Sequence, residues 1–296
     1  EMRIQYLNGG LANQTFQYIF YRYAQLNAPE FGPWYLDDSF FWVKKQHNGY
    51  ELEKVYGVKP KLLSQEFAGE WDSIVKDKKD GGSVPETFRR QGILIDMVAE
   101  EAEWAQKNPF TGKVYPIPCN GYYPEILRVP GENIYYHGYW INKEWMNAYR
   151  DIFLSELSIQ EPKDAENRRI WNRIENTQSV GVHVRRGDFV TLNWFIGEAF
   201  YRKAVSQIRE EYPDVVYYLF SDEVDWCEAH YAELGFSDGD EIEFVKGNVD
   251  GANHIDLFLM SKCQGLILSN SSFSYLAALL NKRLAFFVNP SRLHLL

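Results

Sequence analysis

The second half of the chain alternates apolar runs with helical patterns, and this alternation limits the folds that it can adopt. Repeated strand–helix units of this length imply a parallel sheet covered by helices on both faces. The sequence therefore predicts a Rossmann-like domain in this half. The predicted strands are 180–184, 215–220, 243–245, 265–268 and 284–288, and the predicted helices are 198–211, 224–234, 253–263 and 272–280.

The first half has a weaker pattern. It opens with a predicted strand at 2–7, a glycine turn at 8–13 and a helix at 14–26. Backbone N–H groups at the start of such a helix favour an anion. From about 37 to 133, recurring prolines and charged stretches predict only loops and short helices.

A regular pattern resumes before the middle of the chain. A strand is predicted at 134–140, followed by helices at 144–157 and 164–175. Glu161 and Pro162 lie between those two helices and indicate a connection between domains. The predicted domains are 1–160 and 161–296.

The motif His183-Val-Arg-Arg-Gly-Asp188 ends one of the buried strands. Because side chains alternate along a strand, His183 and Arg185 are expected on one face and Arg186 on the other. Ligands of open α/β sheets bind outside the carboxyl ends of the strands. A guanidinium at such an end can hold phosphate through two parallel hydrogen bonds. The motif therefore predicts a phosphorylated ligand.

Two further strand ends carry small polar side chains. Asp222 follows the strand at 215–220, and Asn270, Ser271 and Ser272 follow the strand at 265–268. Hydroxyl groups and free N–H groups at a helix start form a phosphate cradle, although plain N-capping is an equal alternative for this segment alone. In a parallel sheet all these ends meet at one edge.

Composition excludes several classes of protein. The net charge of -10 disfavours nucleic-acid binding, which needs a broad basic surface. The three cysteines are too few for a disulfide framework or a zinc cluster. We expect no cofactor, no transmembrane segment and no signal peptide. The expected location is cytoplasmic, with peripheral contact at the inner face of the membrane.

These motifs resemble those of a known family. The segment 9–18, Gly-Gly-Leu-Ala-Asn-Gln-Thr-Phe-Gln-Tyr, resembles the opening motif of the bacterial α-1,2-fucosyltransferases, glycosyltransferase family 11. The segment 183–190 resembles their signature, which α-1,6- and protein O-fucosyltransferases share. Further similarities follow in order at 220–222, 254–263 and 269–278, with weaker ones at 50–54 and 138–143.

The resemblance implies a GT-B-like fold, in which two Rossmann-like domains of the α/β class flank a cleft. GDP-fucose would bind mainly to the second domain, and the first domain would hold the acceptor. The implied catalytic residues are Arg185, His183, Asn13 and Asp188. The implied donor-binding residues are Gly10, Ala12, Asn13, His183, Arg185, Asp222, Asp256, Asn270, Ser271 and Ser272.

The resemblance also assigns individual roles. Arg185 would bind the β-phosphate, His183 would contact the nucleoside, and Asp256 would accept hydrogen bonds from guanine. Asp188 has two alternatives, a general base or, as we favour, the partner of Arg186. Ala12 departs from the family pattern, which usually has glycine there.

One acidic turn has the spacing of a metal-binding motif. Asp238-Gly-Asp240 has the DxD spacing of metal-dependent nucleotide-sugar enzymes, but it lies in a glycine-rich acidic turn and is interpreted as a solvated loop. No metal site is therefore predicted. Asp37 and Asp38 are interpreted in the same way, with an acceptor role as the alternative.

The leading functional hypothesis is an inverting, metal-independent galactoside α-1,2-fucosyltransferase. It would transfer L-fucose from GDP-β-L-fucose to a galactose-containing oligosaccharide or a lipid-linked glycan of the bacterial surface. The alternatives are α-1,6 transfer, another GDP-sugar transferase, or a catalytically dead module that binds a glycan or a nucleotide.

Overall fold

The computed structural model describes residues 1–100 and 110–290. The chain divides into two compact units, Glu1–Ser158 and Ile159–Leu296. Each unit is built on its own parallel sheet. Among the described residues, no helix combines the length and apolar character needed to cross a bilayer.

The sheet of the first unit has five parallel strands in the described residues, in the order β2-β1-β5-β3-β4. The strands are β1 Met2–Tyr6, β2 Trp34–Asp37, β3 Ile95–Glu100, β4 Val114–Ile117 and β5 Asn133–His137. The helices are α1 Leu11–Asn27, α2 Phe40–Val43, α3 Leu52–Tyr56, α4 Leu63–Glu66, α5 Trp71–Lys79, α6 Val84–Arg90, α7 Lys143–Asn147 and α8 Arg150–Glu156, with 3-10 turns at Pro29–Phe31 and Pro124–Arg128.

The structure corrects the prediction for the irregular part of this half. Strands β3 and β4 lie where only loops and short helices were predicted. β3 is buried, but Asp96 interrupts its apolar run and accepts a hydrogen bond from the Lys113 N–H at 2.9 Å. β4 is four residues long and contains Pro116, which edge strands tolerate. The sequence patterns of β3 and β4 therefore do not predict strands.

Helix α1 begins at Leu11, three residues earlier than predicted, because Gly10 already has extended backbone and acts as its N-cap. The helix predicted at 144–157 is wrong as a single element. It forms α7 and α8, which are separated at Tyr149, where the backbone leaves the helical region.

The sheet of the second unit also has five parallel strands in the described residues, in the order β10-β9-β6-β7-β8. The strands are β6 Ser179–Val184, β7 Val216–Ser221, β8 Glu241–Phe244, β9 Gly265–Ile267 and β10 Phe286–Val288. The helices are α9 Ala165–Glu175, α10 Gly187–Thr191, α11 Glu198–Glu211, α12 Val224–Ala229, α13 Asn253–Met260 and α14 Ser272–Leu280.

The core of the second unit explains this arrangement. β6 is buried along its whole length, as expected for the central strand of a parallel sheet. Helix α11 buries Tyr201, Ala204, Val205 and Ile208, whose spacing places them on one helix face. Full burial of one such large apolar side chain stabilises the fold by about 1.5–3 kcal/mol. The prediction of a GT-B-like α/β fold with two Rossmann-like sheets is confirmed, and the cleft stays a prediction.

The strand order locates the expected ligand edge of the second sheet. From β6 the chain moves outward to β7 and β8, and it then returns to place β9 on the other side of β6. Ligands of doubly wound sheets bind at such a reversal, outside the carboxyl ends of the strands. The ends of β6 and β9 therefore define the candidate site.

Candidate functional site

His183, the residue before the last of β6, is joined to the segment that follows β9. Its Nδ1 atom lies 2.7 Å from Ser269 Oγ, and Tyr201 donates its hydroxyl to the His183 carbonyl at 2.8 Å. Burial, aided by the nearby Arg185, lowers the pKa of the imidazole to about 3. The side chain is therefore neutral and almost inaccessible, with 5% exposure. Its assigned contact with a nucleoside stays a prediction.

Arg185 lies just beyond β6 with its guanidinium held by two carboxylates. Its Nη2 atom is 2.8 Å from Asp188 Oδ1, and its Nη1 atom is 3.5 Å from Asp222 Oδ2. The side chain is 30% exposed, whereas that of Asp188 is 56% exposed. Asp188 can therefore move away from Arg185 at little cost and leave the guanidinium to an incoming anion.

The prediction that Asp188 pairs with Arg186 is wrong. β6 ends at Val184 and α10 begins at Gly187, so Asp188 comes three residues after Arg185 on the first turn and pairs with it. Arg186 turns away. Its guanidinium carbon lies 3.4 Å from the Trp226 ring centroid, and its Nε atom lies 3.3 Å from Glu223. Arg186 thus anchors the loop by cation–π packing.

Asp222 organises this loop from the neighbouring strand. Its Oδ1 atom accepts a hydrogen bond from the Arg186 backbone N–H at 2.9 Å. A Cβ atom on Gly187 would lie only 2.4 Å from Asp222 Oδ2. The glycine in the motif is therefore required so that the carboxylate can reach the backbone and Arg185.

The polar segment after β9 has mixed roles. Ser271 is the N-cap of α14, and its Oγ atom accepts from the Phe273 N–H at 3.2 Å, which is the capping alternative weighed from the sequence. Asn270 donates its amide to the Trp194 carbonyl at 2.8 Å. Asn270 Oδ1 is buried and has no hydrogen-bond partner in the described part of the chain. Ser272 is the first residue of α14.

Asp256 lies on the first turn of α13 and belongs to an amide network. Asn248 donates to Asp256 Oδ1 at 2.8 Å, and Asn248 and Asn167 exchange two side-chain hydrogen bonds of 2.9 Å. Burial raises the pKa of Asp256 to about 7, against the opposing effect of the Asn248 hydrogen bond. Asn167 and Asn248 were not identified from the sequence, because isolated amides leave no periodic signal.

The glycine turn of the first unit is held by two buried glutamines. Gln14 donates to the carbonyl oxygens of Gly9 and Gly49, both at 2.9 Å, and accepts from the Glu51 N–H. Gln17 accepts from the Asn8 backbone N–H and donates to Asn8 Oδ1. Two glutamines three residues apart in a helix rich in aromatic residues could have revealed this role.

The predicted donor-binding residues of this turn lie together at the start of α1. Gly10 is the N-cap, Ala12 is 6% exposed, and Asn13 follows on the first turn. Gly9 has a φ of 78°, and a Cβ atom there would lie 2.9 Å from Asn13 Nδ2. The methyl group of Ala12 is thus buried in the first unit.

The acidic DxD turn has contacts of its own. Arg209 Nη2 donates to Asp240 Oδ2 at 2.6 Å, the Ser237 N–H donates to the same oxygen, and Tyr231 donates to Asp238. Asp240 directly precedes β8, at the amino edge of the sheet. The turn therefore lies at the opposite edge from His183 and Asp222.

Comparison with known proteins places these motifs in a family. The family model described as Glycosyl transferase family 11 matches residues 99–293, more than half of the chain. The matched residues include the second sheet, and the family they define is one of glycosyltransferases. The chain belongs to glycosyl transferase family 11, and this prediction is confirmed.

Two relatives come from Escherichia coli. An alpha-1,2-colitosyltransferase is 29% identical over 147 residues, which cover 48% of this chain and 49% of that protein. The O-antigen biosynthesis glycosyltransferase WbnK is 29% identical over 290 residues, covering 93% of this chain and 89% of that protein.

Other matches are more distant. Galactoside alpha-(1,2)-fucosyltransferase 2 of Gorilla gorilla gorilla is 25% identical over 167 residues, 53% of this chain and 48% of that protein. The alignment thus spans about half the length of two of these three relatives. Among solved structures, the fucosyltransferase NodZ from Bradyrhizobium is 16% identical, with 95% of this chain and 92% of that chain covered and a TM-score of 0.49.

Proposed function

We propose that the chain transfers L-fucose from GDP-β-L-fucose to a hydroxyl of a galactose-containing glycan, with inversion, without a metal ion, and with an α-1,2 linkage. The observation that carries this proposal is the position of Arg185. It lies at the carboxyl edge of the second sheet, beside the strand reversal, and is paired with an exposed carboxylate that can leave.

The chemistry requires a fixed positive charge at this place. The bond between the sugar C1 and the phosphate oxygen breaks as the acceptor oxygen bonds to C1. The acceptor hydroxyl releases its proton to water or to the departing diphosphate, and negative charge collects on GDP. A preorganised donor facing that charge supplies about 3 kcal/mol of transition-state stabilisation. A guanidinium group is a permanent cation, and that of Arg185 is already oriented by Asp222. Asp188 then positions Arg185 in the free protein and gives way to the diphosphate.

The remaining donor contacts are proposed from the sequence resemblance together with these positions. Asp256 accepts hydrogen bonds from guanine, and Asn270, Ser271 and Ser272 face the phosphates. The unsatisfied Asn270 Oδ1, which lies just before the start of α14, supports a polar ligand there. His183 positions Ser269 through its neutral ring. The roles of Gly10, Ala12 and Asn13 remain predictions.

The linkage and the acceptor rest on the names of the relatives. The colitosyltransferase and the galactoside fucosyltransferase form 1,2 linkages, and WbnK acts in O-antigen biosynthesis. We therefore propose a surface glycan, free or lipid-linked, as the acceptor. Because one relative is a colitosyltransferase, GDP-L-colitose is the donor that must be tested beside GDP-L-fucose.

The test is a transfer assay with both donors and a panel of galactosides, with product linkage determined by NMR. We expect GDP release that depends on acceptor and an α-1,2-fucosyl product. A product with a different linkage, such as α-1,6, or with a different sugar would contradict the proposed α-1,2-fucosyl specificity. GDP binding without transfer or donor hydrolysis would instead indicate a module that only binds the nucleotide.

A further inference from the structure

The first unit contains a cavity of about 380 Å³ at the carboxyl end of its sheet. Tyr6 is the last residue of β1, and Tyr135 comes two residues before the end of β5; both line the cavity. The volume falls within the range of roughly 300–1,000 Å³ that is usual for small-molecule sites. The cavity is called the Lys78 pocket, and its lining includes Tyr6, Lys44, Lys78, Gly82, Ser83 and Tyr135.

Strand order favours this position for a ligand. From β1 the chain moves to β2 on one side, and it later places β5 on the other side of β1. The reversal beside β1 is of the same kind as the one that marks the candidate site of the second unit. The cavity is therefore at the edge where a sheet of this type accepts a ligand.

Lys78, on the last turn of α5, supplies a cation that is held in place. Its Nζ atom donates to Ser39 Oγ at 2.9 Å and lies 4.6 Å from the centroid of the Tyr6 ring. His137 stacks on the same tyrosine, with ring centroids 5.0 Å apart. Tyr6 is thus enclosed between His137 and Lys78, and the ammonium group has a fixed position at the cavity wall.

The positive charge of this pocket is incompletely balanced. Asp37 is fully buried, but its Oδ2 atom accepts from the Tyr135 hydroxyl at 2.5 Å and its Oδ1 atom accepts from the Ser39 N–H at 2.9 Å. Within the described ranges, no carboxylate forms an ion pair with Lys78 or Lys44. Two lysines therefore face the cavity, while the buried Asp37 carboxylate accepts hydrogen bonds from neutral donors.

Asp77, which precedes Lys78 in the chain, also has partners. Asp77 Oδ2 accepts from Arg90 Nη2 and from the Thr87 hydroxyl, both at 3.1 Å. Burial of Lys78 lowers its pKa, Asp37 opposes this effect, and Lys44 adds to it. An anion in the cavity would offset the cost of burying the Lys78 charge and would screen the repulsion between the two ammonium groups.

We propose that the Lys78 pocket binds a sugar residue that carries an anionic group, a carboxylate or a phosphate. The assignment of this sugar to the acceptor rests on the proposed function. Lys78 and Lys44 would hold the anion through charge-assisted hydrogen bonds. Phe40 and Val84, which also line the cavity, would contact the carbon face of the ring.

The test measures binding of galacturonate, galactose 6-phosphate and neutral galactose by NMR titration of the whole chain. We expect at least one charged sugar to bind about tenfold more tightly than galactose, the size of one charge-assisted hydrogen bond. The comparison of the two charged sugars tells which anion is preferred. Equal binding of all three sugars, or no binding of the charged ones, would overturn the proposal.

Matched variants assign the effect to the pocket. Lys78→Met should remove the preference for the charged sugar, whereas Lys79→Met, on the same helix and solvent-exposed, should leave it unchanged. If Lys78→Met does not fold, the exposed Lys44→Met variant, expected to weaken binding about threefold, decides instead. No loss in the folded variant would overturn the assignment. GDP binding measured in the same samples reports separately on the donor site of the proposed function.

Discussion

The imidazole of His183 and the hydroxyl of Ser269 lie 2.7 Å apart and tie the end of β6 to the segment after β9. These two strands flank the reversal of the second sheet, where a ligand is expected. The bond fixes the start of the polar segment that leads into α14. Because the ring is neutral and buried, His183 acts by positioning this segment and supplies no charge.

The burial of His183 gives the stability of the protein a specific pH dependence. The folded-state pKa of His183 lies near 3 because of burial, whereas an unfolded histidine takes up a proton near pH 6.5. Stability from this residue is therefore complete above pH 6.5 and is lost as the pH falls toward 3. At pH 5 the loss amounts to about 2 kcal/mol.

Urea unfolding of the wild type and of His183→Asn at pH 8 and pH 5 measures this effect. The variant keeps a polar atom near the Nδ1 position and does not titrate. The advantage of the wild type should shrink by about 2 kcal/mol between these pH values. An unchanged difference would show that the ring accepts a proton in the folded state. The comparison within each pH removes the contribution of His137, whose pKa burial also lowers.

Asp256 titrates in the opposite sense. Its pKa of about 7 lies above that of an unfolded aspartate, so its contribution favours the folded state as the pH falls through 7. Guanine binding needs the charged carboxylate, and the affinity for guanosine should therefore rise between pH 6 and pH 8. Calorimetry with guanosine avoids the titration of phosphates. The Asp256→Asn variant should bind weakly at all pH values; a pH-dependent profile in that variant would contradict the assignment.

Asn248 should set the midpoint of this profile. Its hydrogen bond favours the charged form of Asp256, so Asn248→Ala should move the midpoint for guanosine binding to higher pH. The variant also leaves Oδ1 of the buried Asn167 without the Asn248 donor, which costs about 1–3 kcal/mol of stability, while Asn167 Nδ2 keeps its bonds to Asp164. Asn172→Ala, at an exposed position of α9, is the control. A stability loss without a shift of the midpoint would assign Asn248 a purely structural role.

Gly187 should be required for activity through its contact with Asp222. The methyl group of Gly187→Ala would lie 2.4 Å from Asp222 Oδ2 and displace the carboxylate from Arg185. We expect a fall in kcat of at least tenfold with the fold retained, which is about 1.4 kcal/mol. Gly239→Ala, where the nearest atom is 3.9 Å away, should have wild-type rates. Equal rates in both variants would exclude a role for this close contact.

Chelation tests the interpretation of the acidic turn. EDTA should leave transfer unchanged, and Asp238→Asn should retain most of the activity, because this turn lies at the amino edge of the sheet. The Tyr231 and Arg209 contacts already occupy both aspartates. Loss of activity on chelation, restored by Mn²⁺, would assign the turn a catalytic metal.

The sequence predicted most of the second unit because its helices and strands are strongly patterned. Helices α11 and α14 occupy the predicted residues. The first unit was harder to predict, because β3 contains a partly buried aspartate and β4 contains a proline, and these residues mask the strand pattern. The Lys78 pocket draws on several separate segments, so no local signal reports it.

Side-chain partners were also difficult to predict. The pairing of Asp188 depended on the short helix α10, which begins at Gly187 and was not predicted from the sequence. The amide pair of Asn167 and Asn248 joins residues 81 apart in the chain. Such contacts follow from tertiary packing and have no periodicity in the sequence.

The most direct measurement for the central claim is GDP affinity and transfer rate in Arg185→Ala, with Arg185→Lys as a second variant. Arg209→Ala, which removes a paired arginine at the opposite edge of the sheet, is the control. We predict a fall of at least a hundredfold in kcat/KM for Arg185→Ala, roughly the effect of losing one charge-stabilising donor, with an unchanged fold and weaker GDP binding. Near-normal transfer by a folded Arg185→Ala protein would contradict the account.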